Sequence, residues 1–148
     1  MTMRDKGNPA LFIEQMLKPG QTVIDVGAYL GEFSERWAQV VGPTGTVWAI
    51  DGDERNWPAL VQRSEAYPQI KPLLGAAGNV AGMTEFYRCA PTPSNSSRIR
   101  DAILSDTLPL VMVPMLPLDL VTDHADVVKI DVQGGEVDVL KGAPKLLT

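Results

Sequence analysis

Two short apolar runs, Thr22-Val-Ile-Asp-Val26 and Thr46-Val-Trp-Ala-Ile-Asp51, limit most sharply what this chain can fold into. Both are continuous rather than alternating. A strand of that kind is buried on both faces, as inside a parallel sheet covered by helices. Between them the period changes, and Phe33, Trp37, Val40 and Val41 fall at helical spacing from Glu32 to Val41. Gly42-Pro43-Thr44-Gly45 then turns the chain back. Strand, helix, strand in that order predicts a right-handed βαβ unit.

The rhythm extends in both directions. Asn8-Pro9 reads as a cap and first turn, Ala10, Ile13 and Leu17 share a helical face, and Pro19-Gly20 ends that helix. Asp53 to Tyr67 reads as a helix and Ile70 to Leu74 as a third strand. After Gly82 the pattern breaks: residues 83–88 alternate and look antiparallel, and Pro91 to Ser97 is a polar loop. Val111 to Met115 is the expected partner of 83–88, with Pro114 confining it to an edge or a bulge. Val127 to Asp131 is a fourth buried strand, Gly134-Gly135 a turn, and a helix follows from about Glu136. Pro144 is expected to start another helix.

Composition narrows the class. With 148 residues, 45% of them hydrophobic and 21% charged, the chain can bury one core and reads as a single domain over 1–148. A net charge of −5 lacks the footprint of a non-specific nucleic-acid binder, so no nucleic-acid partner is expected. No run approaches the roughly 18–20 apolar residues of a membrane span. A single cysteine, Cys89, gives no intramolecular disulfide framework. With a polar N-terminus, the expected compartment is the cytoplasm. No His/Cys cluster has metal-ligand spacing, and Asp119, Asp123 and Asp126 read as solvated loop charges. His124 reads as a surface residue and Cys89 as an inert buried one.

The chemistry is expected where Asp25-Val-Gly27-Ala28-Tyr-Leu-Gly31 passes from the first strand to a helix, because ligands bind outside the carboxyl ends of parallel strands. Gly27 lets a ligand approach the backbone, and the helix start near Gly31 offers free N–H groups. Asp25 is placed to bind an ammonium, and Asp51, ending the second strand, to accept both hydroxyls of an adenosine ribose. Two nucleoside ligands compete. A dinucleotide site needs G-x-G-x-x-G, whereas here Tyr29 stands where the middle glycine would be and would meet the pyrophosphate. S-adenosylmethionine carries no phosphate, and Asp25, Gly27 and Asp51 suit it better.

These residues resemble the FkbM-type family of S-adenosylmethionine-dependent methyltransferases. Val23-Ile-Asp-Val-Gly-Ala-Tyr-Leu-Gly31 resembles the family's V-D-V-G-A-N-x-G, and Ala49-Ile-Asp51-Gly52 with Asn56 and Leu60 resembles E-P-x-x-x-N-x-x-x-L. Leu74-Gly-Ala76-Ala77 through Gly82-Met-Thr-Glu-Phe86, Ser94-Asn-Ser-Ser97 and Leu116-Pro-Leu-Asp119 follow in the family's order. Val128-Lys129-Ile-Asp131-Val-Gln-Gly-Gly-Glu136, then Val139-Leu-Lys-Gly-Ala143, resembles K-I-D-V-E-G-A-E…V-L-x-G-A. Three positions depart: Asp51-Gly52 for Glu-Pro, Tyr29 for asparagine and Gln133 for glutamate.

The resemblance implies a Rossmann-like α/β fold, a mostly parallel sheet with flanking helices and a β-hairpin insertion. The family continues into a fifth strand and a C-terminal hairpin pair, so the domain is expected to be C-terminally incomplete. The exposed sheet edge then predicts a homo-oligomer. The implied activity is methyl transfer from S-adenosylmethionine to a hydroxyl on a sugar, glycan or secondary metabolite. Cofactor binding falls to Asp25, Gly27, Ala28, Gly31, Asp51, Gly52 and Ala76. Asp131 is the leading base, with Lys129 and Glu136 beside it; a structural ion pair and a helix cap are the alternative for all three. Ser94, Ser96, Ser97 and Arg98 either cover the acceptor or only link elements. The competing class is a non-catalytic S-adenosylmethionine-binding module or an inactive fragment, favoured by Gln133 and the missing strands.

Overall fold

A computed structural model describes residues 9–89, 96–98 and 110–148. The polar loop over 91–95, with Ser94, lies outside these residues. The chain runs α1 (Pro9–Met16), β1 (Thr22–Val26), α2 (Glu32–Val41), β2 (Thr46–Asp51), a 3-10 turn (Glu54–Asn56), α3 (Trp57–Ala66), β3 (Ile70–Leu74) and β4 (Ala76–Ala77). After these come β5 (Gly82–Phe86), β6 (Val111–Leu116), a second 3-10 turn (Leu118–Leu120), β7 (Val127–Ile130) and α4 (Glu136–Lys141). Four strands form an entirely parallel sheet in the order β3-β2-β1-β7, and β4-β6-β5 form a second, mixed sheet.

Successive side chains of a strand point to opposite faces, and here each face has its own core. Val23, Val47 and Val127 join Trp37, Ala38 and Val41 of α2 and Leu60 of α3 on one side. Ile24, Val26, Ile50, Val128 and Ile130 pack with Ala77, Leu118 and Val139 on the other. By the same alternation Asp25, Asp51 and Lys129 belong to the α2 face, where the apolar core gives way at the carboxyl end of the sheet. The registry is fixed: Asp25 lies beside Ala49 of β2 on one side and Lys129 of β7 on the other.

Three sequence expectations change. The helix expected over 53–67 begins as a 3-10 turn, because the buried Asp53 carboxylate accepts the Arg55 N–H and tightens the entry. Pro114 sits in the middle strand of its sheet rather than at an edge. It is tolerated because the β4 side of β6 is paired only at Met115 and Leu116. No helix begins at Pro144; Asp119 accepts the N–H groups of Lys145 and Leu146, and the chain continues as a turn. The anticipated antiparallel pairing of the hairpin is present, with Met83 opposite Pro114 and Glu85 opposite Met112. Among the described residues no helix is long and apolar enough to cross a membrane.

Candidate active site

A cavity of 590 Å³ opens at the carboxyl ends of β1, β2 and β7. Its wall includes Gly27, Ala28 and Tyr29 after β1, Asp51 at the end of β2 with Gly52 following, Gly75 and Ala76 after β3, and Lys129 to Gln133 at the end of β7. Phe86 of the hairpin and Ser96 and Arg98 complete it. This volume lies in the ordinary range for small-molecule sites.

The β1–α2 turn depends on Gly27, at φ 77°. A Cβ there would overlap the carbonyl oxygen of Asp131. The glycine therefore first admits the β7 backbone, and the closeness of the two strand exits creates the cavity rim. Gly27 and Ala28 donate their N–H groups to the Ile50 carbonyl, at 2.9 and 3.0 Å, tying the turn to β2. Tyr29 follows at φ 54°, a left-handed conformation rare for a bulky residue. Its N–H donates to Asp51 Oδ2 at 2.8 Å.

Asp51 thus shapes the turn as well as facing the cavity. Its Oδ1 accepts from the Asp53 N–H (2.8 Å) and Asn56 Nδ2 (3.0 Å). Burial pushes its carboxyl above the usual range, and these three hydrogen bonds only partly offset that. A carboxylate offers about four lone-pair sites, so Oδ2 keeps one for a ligand hydroxyl.

Asp25 is elsewhere than expected. It is 1% exposed and does not line the cavity. Its Oδ2 accepts from Ser34 Oγ at 2.6 Å, and its Oδ1 lies 3.0 Å from Lys129 Nζ. The ammonium that Asp25 holds belongs to this chain. Lys129 also donates to the carbonyls of Gly27 (2.7 Å) and Val26 (3.3 Å), so its amine is committed to the back of the turn.

Two further expectations are corrected. Gly31 is outside the cavity wall; a Cβ there would stand 2.8 Å from Leu60 Cδ2, so this glycine serves the packing of the turn on α3. Glu136 is also outside it, and accepts from the N–H groups of Gly134 (3.0 Å) and Val132 (3.3 Å). Burial raises its carboxyl, but hydrogen bonds from Gly134, its own N–H and Val132 outweigh that and hold it low. It ties the turn before α4, whose N-cap is Gly135 without a side-chain cap bond. Asp131 does face the cavity, and its Oδ1 accepts from Gln133 Nε2 at 3.3 Å.

The composition pattern gave no hint of Phe86 and Glu32, which both line the cavity. A Cβ on Gly52 would stand 2.5 Å from the Phe86 ring, which explains why a glycine follows Asp51. Glu32 was legible only as an acidic residue in the first turn of α2. Ser96 and Ser97 bind the cavity's two halves together. Ser96 Oγ donates to Asp53 Oδ2 (2.7 Å), and Ser97 Oγ to the carbonyls of Gln133 (2.9 Å) and Val132 (3.3 Å).

The sequence signature of the methyltransferase FkbM domain matches residues 25–148. The chain belongs to the FkbM methyltransferase family. S-adenosylmethionine is the cofactor of such enzymes, and the cavity fits it: a carboxylate with one open lone pair for a ribose, the Glu32 carboxylate beside the Gly27 turn, and apolar walls from Ile50, Ala77 and Phe86. Among the described residues no cluster of three metal-ligating side chains occurs.

Two curated relatives are named rRNA 2'-O-methyltransferase fibrillarin. The one from Tetrahymena thermophila is 33% identical over 61 residues, 41% of this FkbM chain and 21% of its own length. The one from Giardia intestinalis is 29% identical over 65 residues, 44% of this chain and 20% of its own. The matched stretch spans about a fifth of these relatives. A crystal structure of a SAM-dependent methyltransferase from Aquifex aeolicus superposes with TM-score 0.43 at 25% identity, covering 53% of this chain and 43% of its own.

The relatives correct one expectation. The net charge of −5 predicts no nucleic-acid partner, yet stretches of 61 and 65 residues are similar to proteins named rRNA 2'-O-methyltransferase. Charge summed over a whole chain averages away the surface around one site, so it does not decide the acceptor.

Proposed function

We propose that this chain transfers a methyl group from S-adenosylmethionine to a hydroxyl oxygen of a sugar. The names of the two curated relatives make the ribose 2'-hydroxyl of RNA one such acceptor to be tested beside glycans and secondary metabolites. The observation that carries the reading is the pair of carboxylates on one cavity rim, Asp51 ending β2 and Asp131 just after β7, with the Gly27 turn between them.

When bound, S-adenosylmethionine supplies a methyl on a sulfonium, which the acceptor oxygen takes as the C–S bond breaks and its electron pair stays on sulfur. The protein's part is to align the donor and acceptor and to limit water. Asp51 receives the ribose, Glu32 beside the Gly27–Ala28 turn receives the ammonium of the amino-acid end, and Ile50, Gly52, Ala76 and Phe86 line the adenosine side. Asp131 takes the acceptor's proton as general base. Lys129 and Asp25 act behind the turn and hold its shape.

Calorimetric titration with S-adenosylhomocysteine tests the cofactor half. Asp51→Ala is expected to weaken it at least ~10-fold, the order of one good hydrogen bond to a charged group. Methyl transfer to an oligoribonucleotide, its 2'-deoxy counterpart and a glycan panel tests the acceptor half, with Asp131→Ala as control. No binding of S-adenosylhomocysteine, or full turnover by Asp131→Ala, overturns the corresponding half.

A further inference from the structure

Gln133 is the second non-glycine residue with a left-handed backbone, at φ 55°. It lies on the turn between β7 and α4 and is one of the residues lining the cavity. L-residues pay for that conformation, which persists only where the surroundings over-determine it. Here they do. Its carbonyl accepts from Ser97 Oγ at 2.9 Å, and Ser97 is 1% exposed. Ser97 is itself bridged by its backbone to Tyr87 beyond β5, at 2.7 and 3.0 Å. The amides on either side, of Val132 and Gly134, both donate to Glu136. Gly134 follows at φ 100°, a conformation that costs glycine little, so the strain of the turn falls on Gln133. From this turn the Gln133 side-chain amide donates to Asp131 Oδ1 at 3.3 Å.

We propose that Gln133 is a positioning residue for methyl transfer: its pinned backbone aims the carboxamide at Asp131 and turns that carboxylate's other oxygen to the acceptor hydroxyl. The inference rests on the reading of Asp131 as the base. A glutamate at this position could donate to Asp131 only when protonated, whereas the carboxamide donates at any pH. Gln133 thus gives this chain a donor where the family motif carries an acid.

Gln133→Asn and Gln133→Gly separate aiming from folding. Asparagine keeps the carboxamide but withdraws it by one methylene, and both residues accept a positive φ more readily than glutamine. The expected result is a Tm unchanged or raised by ~2 °C, S-adenosylhomocysteine affinity within about twofold, and kcat at least ~10-fold lower with KM little changed, the order of one lost positioning contact. Independently of turnover, the Gln133 side-chain amide resonances, assigned by their loss in Gln133→Gly, should shift in Asp131→Asn. Retained kcat in both variants, a fall in kcat that only tracks a fall in Tm, or amide signals indifferent to Asp131→Asn overturns the proposal. Wild-type protein that binds S-adenosylhomocysteine yet methylates no hydroxyl acceptor overturns the O-methyltransferase reading instead, and the amide signals still decide whether Gln133 engages Asp131.

Discussion

Asp25 and Lys129 face one another across the parallel β1–β7 ladder, the carboxylate 3.0 Å from the ammonium, and together they back the turn that rims the cavity. The side chains are 1% and 15% exposed, so neither charge is tolerable alone. Lys129→Met is expected to leave Asp25 buried without its counter-ion and to free the Gly27 carbonyl, at a cost of about 3–5 kcal/mol. Adding Asp25→Asn should recover part of that loss. Chemical denaturation of both variants checks it; equal stabilities would mean that the pair does not carry the coupling.

Gly27→Ala meets two penalties at once, a left-handed φ and a collision with the Asp131 carbonyl. The neighbour is backbone, so it cannot rotate away. A loss of roughly 3 kcal/mol or more is expected, at the upper end for single substitutions, together with loss of S-adenosylhomocysteine binding. Gly42→Ala is the internal control. Its backbone, at φ 67° and ψ −172°, is also one that glycine alone adopts readily, but no atom stands within 4 Å of its Cβ position, so its cost should be the backbone penalty only, about 1–3 kcal/mol, with S-adenosylhomocysteine binding kept.

The parallel sheet and its helices were legible because apolar runs of period 1 and helical stretches of period 3.6 do not resemble one another. The rim aspartates were legible because they end such runs. The partner of Asp25 was not, since it depends on β7 pairing beside β1 in a register that only the folded sheet defines. Pro114 misled for a related reason: β4 has only two residues and pairs with β6 beyond Pro114, at Met115 and Leu116, which no local pattern reveals. Glu136 followed its motif, yet the motif could not tell a carboxylate aimed into a cavity from one wrapped by the N–H groups of its own turn.

Asp119 should act as a clasp. Its two carboxylate oxygens accept from the Leu146 and Lys145 N–H groups, at 3.2 and 3.1 Å, and its own N–H donates to the Gly142 carbonyl. Asp119→Ala is expected to cost about 1.5–3 kcal/mol, the usual worth of a hydrogen bond to a charged acceptor. Hydrogen exchange should show loosening confined to residues 142–148, with cofactor affinity unchanged.

Asp53 supplies a pH signature. It is fully buried, and its carboxylate accepts from Arg55 Nε (2.8 Å), Arg55 Nη2 (2.6 Å) and Ser96 Oγ (2.7 Å). Burial by itself would raise its carboxyl, but the hydrogen bonds from Arg55 and Ser96 and the Arg55 charge outweigh that and lower it. A lowered folded value means that this group adds stability above the ordinary carboxylate range, and that the contribution is lost as pH falls below 3.8 and through the folded value. Asp53→Asn should therefore lose about 2 kcal/mol at neutral pH, less than a fully buried pair because Arg55 is 26% exposed. Its deficit against wild type should shrink as the solution is acidified. Because Ser96 bonds Asp53 directly, the same variant should also free the 96–98 segment from the β2 side of the cavity. Urea melts from pH 7 to pH 3 decide the matter, and a deficit that stays constant across that range would show that the Asp53 charge is not what holds the segment.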